Sequence, residues 1–461
     1  MKKIIAITAM AAAAAALSFA AEPEADLKIA EFSGNASVTW GVDLDTGKTG
    51  FKNDDSAKLK VNFTNEGTKK TEGEGIWAEL EIKGKSLYAE NGAIKEGGAS
   101  VENAKLHFGP VYLGIRKGNT LVGAFKPLNA VHSSNDGIGD VMGPDHDQGI
   151  VAGFSNDLFA IDVDFRSKKD ATYNWYGNDY GAAAEATLKF VPNMEIKAGA
   201  DYQFDAKALG VGASAKYTLA LGDTFKLIPS VGYTMAFKDD NDSSTVDLGM
   251  ALAAGAIFAW GDEKDANAGI YYLDNDNAKK VTPGVGVVAY INNLTNVTNA
   301  DVKKAVGDTE AKLVLVPSFY SGEIVPNLTA AALAEIDVPL TSGGTVAFAV
   351  AGGLKYNLKV NDSVTITPQA GVRFNGNTAA TTLGALKGKR YDDNGRFNSD
   401  AVGTNSDNQL MNVKVGADVS GLINNTTFSV DWTSRNLLRN QGTQADNGQI
   451  GTINLTCKIS M

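Results

Sequence analysis

Val346-Ala347-Phe348-Ala349-Val350-Ala351-Gly352-Gly353-Leu354-Lys355-Tyr356-Asn357-Leu358-Lys359-Val360 keeps one apolar phase for fifteen residues. A two-residue Asn361-Asp362 turn follows, and Val364, Ile366, Pro368, Ala370, Val372 and Phe374 return in the same style. Alternation with period two marks a strand whose two faces meet different surroundings. Two such runs joined by Asn-Asp predict a hairpin. The opposite phase carries Lys355, Lys359 and Arg373.

The same pattern runs through the chain. Ala36, Val38, Trp40, Val42 and Leu44 alternate with polar or small residues, as do Ala57 to Phe63, Phe159 to Phe165 and Met194 to Tyr202. About twenty such segments are present, and Ala-rich Leu328 to Ile336 is the single ambiguous stretch that a helix could claim. A water-soluble sandwich also alternates. The segments, however, commonly run 9 to 12 residues, the length of a tilted strand that crosses a bilayer. Trp40, Tyr112, Tyr217, Tyr233, Trp260, Tyr290, Tyr356 and Trp432 stand near segment ends, where interfacial girdles form. The expected fold is therefore all-β, a transmembrane antiparallel β-barrel of about 18–20 strands after a cleaved signal peptide.

That signal is legible at the start. Lys2 and Lys3 precede an uncharged, mostly Ala run from Ile4 to Ala21, with small residues Ser18 and Ala20 before a cut ahead of Ala21. Residues 1–20 are the expected signal peptide and 21–461 the barrel; the alternative arrangement is a periplasmic region 21–201 with a smaller barrel 202–461. Composition excludes other classes. The 461 residues carry a formal charge of −11, which repels a phosphate backbone and disfavours nucleic acid as a partner. One Cys and three His leave no disulfide framework and little for a metal centre.

Connection lengths give a topology. With Met461 periplasmic, Thr433 to Gln449 lies outside, Ser420 to Asn425 inside, Asn375 to Gln409 outside, Asn361-Asp362 inside and Asn292 to Ala311 outside. Long outer and short inner connections alternate as in porin barrels. Ser167 to Gly181 breaks the rule, being long on the inner side. Thr120 to Asp157 and Asn375 to Gln409 are the two connections expected to narrow a pore.

Several phrases resemble the treponemal major outer sheath protein family, which includes the Treponema pallidum repeat proteins. They are Ala36-Ser37-Val38-Thr39-Trp40-Gly41-Val42-Asp43-Leu44 with Gly50-Phe51-Lys52, Ala57 to Phe63, Val111-Tyr112-Leu113-Gly114-Ile115, and Tyr180-Gly181-Ala182. The resemblance implies an abundant, pore-forming, often trimeric outer-sheath protein that also binds host matrix proteins.

No catalytic constellation is expected, and no cofactor. Gly210-Val211-Gly212-Ala213-Ser214-Ala215 and Gly284-Val285-Gly286-Val287-Val288-Ala289 fit the dinucleotide fingerprint, but alternation continues through both, so the glycines belong to strands. Asp145-His146-Asp147, Asp239 to Asp242 and Asp274 to Asn277 read as polar loops and turns rather than cation sites. The useful chemistry lies in the polar phase: Lys58, Lys60, Glu79, Glu81, Arg116, Asp162, Asp164, Arg166, Glu195, Lys197, Lys355, Lys359, Arg373, Lys414 and Asp418 all fall opposite apolar positions. A charge facing lipid costs roughly 2–4 kcal/mol near the midplane, so this phase is expected to line the lumen. Lys387, Lys389, Arg390 and Arg396 form a basic cluster in the 375–409 loop, suited to a carboxylate or phosphate. Ile453, Leu455, Cys457, Ile459 and Met461 are the apolar phase of the expected closing strand. The expected function is a water-filled channel for passive diffusion of small hydrophilic solutes. The alternative is an adhesin that displays its long loops to host matrix proteins.

Overall fold

The computed structural model describes residues 30–64, 70–71, 73–84, 87–90, 93–96, 99–117, 148–170, 175–205, 207–239, 246–262, 264–265, 280–297, 299, 302, 311–376, 389–391, 397–399, 409–438 and 450–460. The expected signal segment and Met461 lie outside them.

Twenty strands follow one another around a single sheet. The first ten are β1 (Ala30–Asp43), β2 (Thr49–Phe63), β3 (Ile76–Gly84), β4 (Ala99–Phe108), β5 (Val111–Lys117), β6 (Gln148–Ser155), β7 (Phe159–Asp170), β8 (Trp175–Leu188), β9 (Met194–Gln203) and β10 (Ala208–Tyr217, continued by Leu219–Leu221). The rest are β11 (Phe225–Asp239), β12 (Val246–Ala259), β13 (Gly284–Asn292), β14 (Lys312–Tyr320), β15 (Leu328–Pro339), β16 (Ala347–Tyr356, continued by Leu358–Lys359), β17 (Thr365–Asn375), β18 (Leu410–Ser420), β19 (Thr426–Thr433) and β20 (Thr452–Ser460). Each pairs antiparallel with the next, and β20 pairs back onto β1 from Asn35↔Ser460 to Asp43↔Thr452. The sheet closes on itself and leaves no edge. Closure over Asn35 to Asp43 gives partners to ladder groups that an open edge would leave bare in hydrocarbon.

Antiparallel order sends successive connections to opposite ends. One end carries residues 118–147, 293–311, 376–409 and 434–451; the other carries mostly short turns such as 109–110, 156–158 and 421–425. Asn residues shape the short end. Asn193, Asn327 and Asn425 hold φ of 62°, 65° and 59° immediately before β9, β15 and β19, a left-handed conformation that Asn tolerates best among residues with a side chain.

Several expectations need correction. The Asn361-Asp362 turn spans 360–364, because Asn361 Oδ1 accepts from the N–H of Ser363 (2.9 Å) and Val364 (2.8 Å) and widens it into an Asx turn. The 120–157 loop contains β6, whose Gly149 and Gly153 thin the alternation signal. Ser167 to Gly181 is mostly strand, and its 171–174 link lies at the long end, since six strands (β8 to β13) separate it from 293–311. The long connection at the short end is instead 260–283. Leu328 to Ile336 is strand β15: pairing on both sides overrides the helix preference of Ala.

Burial is inverted relative to a soluble protein. Phe51, Leu113, Ile150, Val231, Leu354 and Val430 are among many large apolar side chains left exposed on one phase. Glu79, Asp164, Arg166, Glu335, Arg373 and Asp431 are buried on the other. Apolar surface outside and charge inside is the economy of a barrel solvated by lipid. Trp40 and Trp432 sit toward the long end, and Tyr217, Trp260 and Tyr356 toward the short end. Tyr112 and Tyr290 do not join such girdles. Their register places them on the inner phase, where both are buried.

Candidate functional site

The inner face of the barrel is the site, and register decides which side chains it holds. Facing partners share a side of the sheet. Following Thr39↔Thr456, Asn454↔Asp431 and their neighbours around the closed ladder puts one phase of every strand on one inner surface, polar over most strands and apolar at Val288, Val314, Val316 and Leu333.

Three walls differ in chemistry. On β2 to β5, Lys58 reaches Glu81 at 2.9 Å and Lys60 reaches Glu79 at 3.4 Å. Glu79 also accepts from Asn103 Nδ2 at 2.8 Å and has Lys105 at 3.8 Å. Lys105 stands over the Tyr112 ring, 4.2 Å from its centroid. Beside them Trp77 and His107 stack at 3.8 Å with planes 2° apart. Gly153 lies under Tyr112, where a Cβ would collide with the ring. Further round, Arg166 pairs with Asp164 two residues away on the same face of β7. Glu195 sits between Lys197 (3.8 Å) and Lys216 (3.9 Å).

The second wall, on β14 to β18, sets buried apolar side chains such as Val314, Val316 and Leu333 beside one ion pair and several amides. Lys312 donates to Asp337 Oδ2 at 2.8 Å, Gln369 Nε2 to Asp418 Oδ2 at 3.0 Å, and Arg373 Nε to Asn375 Oδ1 at 2.8 Å. Lys355, Lys359 and Lys414 occupy inner-phase register positions there, opposite Gln369, Thr365 and Gly371. The third wall, the inner phase of β10 to β12, is made of small residues such as Ala208, Gly210, Gly212, Gly232, Ala236 and Ala251. The fingerprint-like glycines Gly210 and Gly212 belong to it, and Gly284 and Gly286 to the inner phase of β13. At the short end Lys226 hydrogen-bonds Asp262 and holds that carboxyl below the ordinary carboxylate range.

The expected polar-phase residues are thus distributed around the inner face rather than gathered into one cluster. Asp162 faces Glu185 and Gly153 in the ladder. The backbone of Arg116 pairs with Asn103 and Gly149, while its side chain is outside the described residues. Of the loop cluster, Lys387 and Arg396 lie outside the described residues. Lys389 and Arg390 are in a short hairpin strand, Lys389–Tyr391, described in backbone alone. Asp145-His146-Asp147, Asp240 to Asp242 and Asp274 to Asn277 also lie outside. Ile453, Leu455 and Ile459 of β20 face outward and are exposed. Among the described residues no three His, Cys, Asp or Glu side chains gather as metal ligands.

Sequence reasoning missed the clamp at the seam where the barrel closes. Arg435, just past β19, is buried and donates to Asp43 Oδ2 at 2.7 Å and Asp45 Oδ2 at 2.9 Å, reaching across β20 to the end of β1. Asp45 also accepts from the N–H of Ile450 and Gly451, each at 2.8 Å. Gly451 holds φ +87° with Thr433 O where a Cβ would project. A sequence separation of 392 residues hides this contact from any local pattern.

The comparisons agree with the resemblance read from short phrases. The chain is 27% identical to "Major surface protein MspTL" of Treponema lecithinolyticum over 94% of this chain and 93% of that protein. It is 26% identical to "Major outer membrane protein MspA" of Treponema maltophilum over 96% and 97%. No protein-family model matches the chain. Among solved structures it is similar to Pseudomonas aeruginosa OccK11 (OpdR), with TM-score 0.47 and 8% identity over 95% of this chain and 98% of that one.

Proposed function

We propose that this protein is an outer-membrane porin, a channel through which small hydrophilic solutes diffuse passively, with no catalytic step, cofactor or metal. One observation carries the reading: a closed sheet whose exposed phase is apolar and whose inner phase holds ion pairs of both signs. An inner wall bearing both charges stays hydrated and admits polar solutes, with selectivity set by local charge. The expected signal peptide at residues 1–20 and the name "major outer membrane protein" borne by a relative are consistent with that location. Purified protein in planar bilayers is expected to give stepwise, ohmic conductance. Folded, heat-modifiable protein that never conducts would end this reading.

A second reading, surface adhesion to host matrix proteins, draws on the long connections 118–147 and 376–409, which share one end of the barrel, and on the relative named a major surface protein. Loops on a rigid scaffold commonly carry binding. Replacing residues 376–409 by a short turn separates the two: matrix binding is lost while conductance persists. Binding that survives shortening of each long connection in turn removes the adhesin reading.

A further inference from the structure

The connection between β13 and β14 turns into the barrel at its start. It first continues along β12, with the Leu294 N–H donating to Met250 O at 2.8 Å and the Thr295 hydroxyl to Leu248 O at 2.5 Å. Asn293, just before them, turns the chain. It is fully buried, holds φ +43°, and clips Val297 from both sides. Its Oδ1 accepts from Val297 N–H at 2.7 Å, and its Nδ2 donates to Val297 O at 3.0 Å. Farther on, Val302 N–H donates to Asn299 Oδ1 at 3.4 Å.

Val297 and Val302 are both buried, and they cluster with Ala208, Ala236 and Ala251. Those three alanines lie on the inner phase. Their neighbours along the chain, Leu209, Phe237 and Leu252, point the other way, and Leu252 is exposed on the outer surface. Two valines from a connection that begins at the rim therefore rest inside the barrel, on its wall. The wall suits them. Charged or bulky side chains there would fill the space that the valines occupy, and the inner phase of β10 to β12 offers Gly210, Gly212, Gly232 and Gly249 beside the alanines.

We infer that this inward-turned segment, clipped by Asn293 and seated through Val297 and Val302 on Ala208, Ala236 and Ala251, sets the size limit for solutes crossing the channel. The inference rests on the porin reading. Chain seated in a lumen subtracts cross-section from it, and a clip made by a buried side chain to main-chain atoms holds that chain in one place. Asn293 is here a positioning residue, acting through Val297.

The test uses the full-length protein with Cys457→Ser. Val302→Asp puts a carboxylate into an apolar seat, where it is not tolerated, and Asn293→Ala removes the clip. Both are expected to raise single-channel conductance and to admit, in proteoliposome swelling, neutral sugars that the parent excludes. Val302→Cys is expected to resist a small hydrophilic thiol reagent and to become reactive when combined with Asn293→Ala. Should Val302→Asp fail to show heat-modifiable migration, Asn293→Ala and the thiol measurement decide. A folded Asn293→Ala or Val302→Asp protein with the parent's conductance and sugar cut-off overturns the inference. A parent protein that never conducts overturns the porin reading instead, while protection of Val302→Cys still reports whether the seat is filled.

Discussion

Arg435 clamps the seam where the barrel closes. It bridges Asp43, which is fully buried, and Asp45. Removing one partner of a buried ion pair leaves an uncompensated charge and costs roughly 3–5 kcal/mol. Arg435→Ala is therefore expected to lower the temperature at which the folded band converts to the unfolded one in heat-modifiability gels. Arg435→Lys is expected to recover only part of the loss, because one ammonium cannot match the fork that spans two carboxylates. An unchanged conversion temperature in Arg435→Ala would show that the seam is held by its ladder alone. By contrast, the half-exposed pair Lys58–Glu81 is worth about 1 kcal/mol or less. On the proposed porin reading, its contribution is the charge it shows to solutes rather than stability. Arg435 is one of two arginines in the last long connection, and nothing local in the sequence joins it to Asp43.

Strand β7 shows what period two means at the scale of an element. Ile161, Val163 and Phe165 are exposed outside, whereas Asp164 and Arg166 are buried inside one residue away. Val163→Arg is expected to oppose insertion by about 2–4 kcal/mol if the position lies near the midplane. Asp162→Ser, its neighbour, is expected to insert as the parent does and to shift ion selectivity in bilayers. Equal insertion of both variants would reverse the facing argued for this strand. Most of the barrel was readable in this way, because each strand writes its two environments into alternate residues. Strand β6 was missed because Gly149 and Gly153 supply no polar side chain to alternate with Ile150 and Ala152. Strand β15 was ambiguous because Ala330 to Ala332 and Ala334 carry no preference strong enough to mark a phase.

The whole molecule depends on β1 meeting β20 across the full length of the chain. Thr39 and Thr456 hydroxyls share a hydrogen bond of 2.9 Å inside this seam, while Val38, Leu455 and Ile459 are exposed outside it. Deletion of Thr452 to Met461 is expected to leave β1 and β19 with bare ladder groups and to prevent insertion. The measurement is protease sensitivity of the periplasmic protein, with export itself unchanged. Normal surface levels and conductance in the deletion would require another closing strand.

What the sequence by itself determined was local: the alternation, the facing of charge and apolar groups, the near count of strands, and the likeness to treponemal surface proteins that full-length similarity supports. Gly210 and Gly212 of the small-residue wall were also in view, read only as strand glycines. What tertiary structure decided was everything that joins distant segments: the parity of the N-terminal connections, the Arg435 clamp, the inward Tyr112 and Tyr290, and the seating of Val297 and Val302 on a wall some fifty to ninety residues earlier in the chain. The reason is physical. Period two reports the medium on each side of a strand, lipid or water, and that is a property of each residue alone. Which strand ends meet at a rim, and which connection finds room in the lumen, depends on closing the sheet, and no local pattern encodes closure.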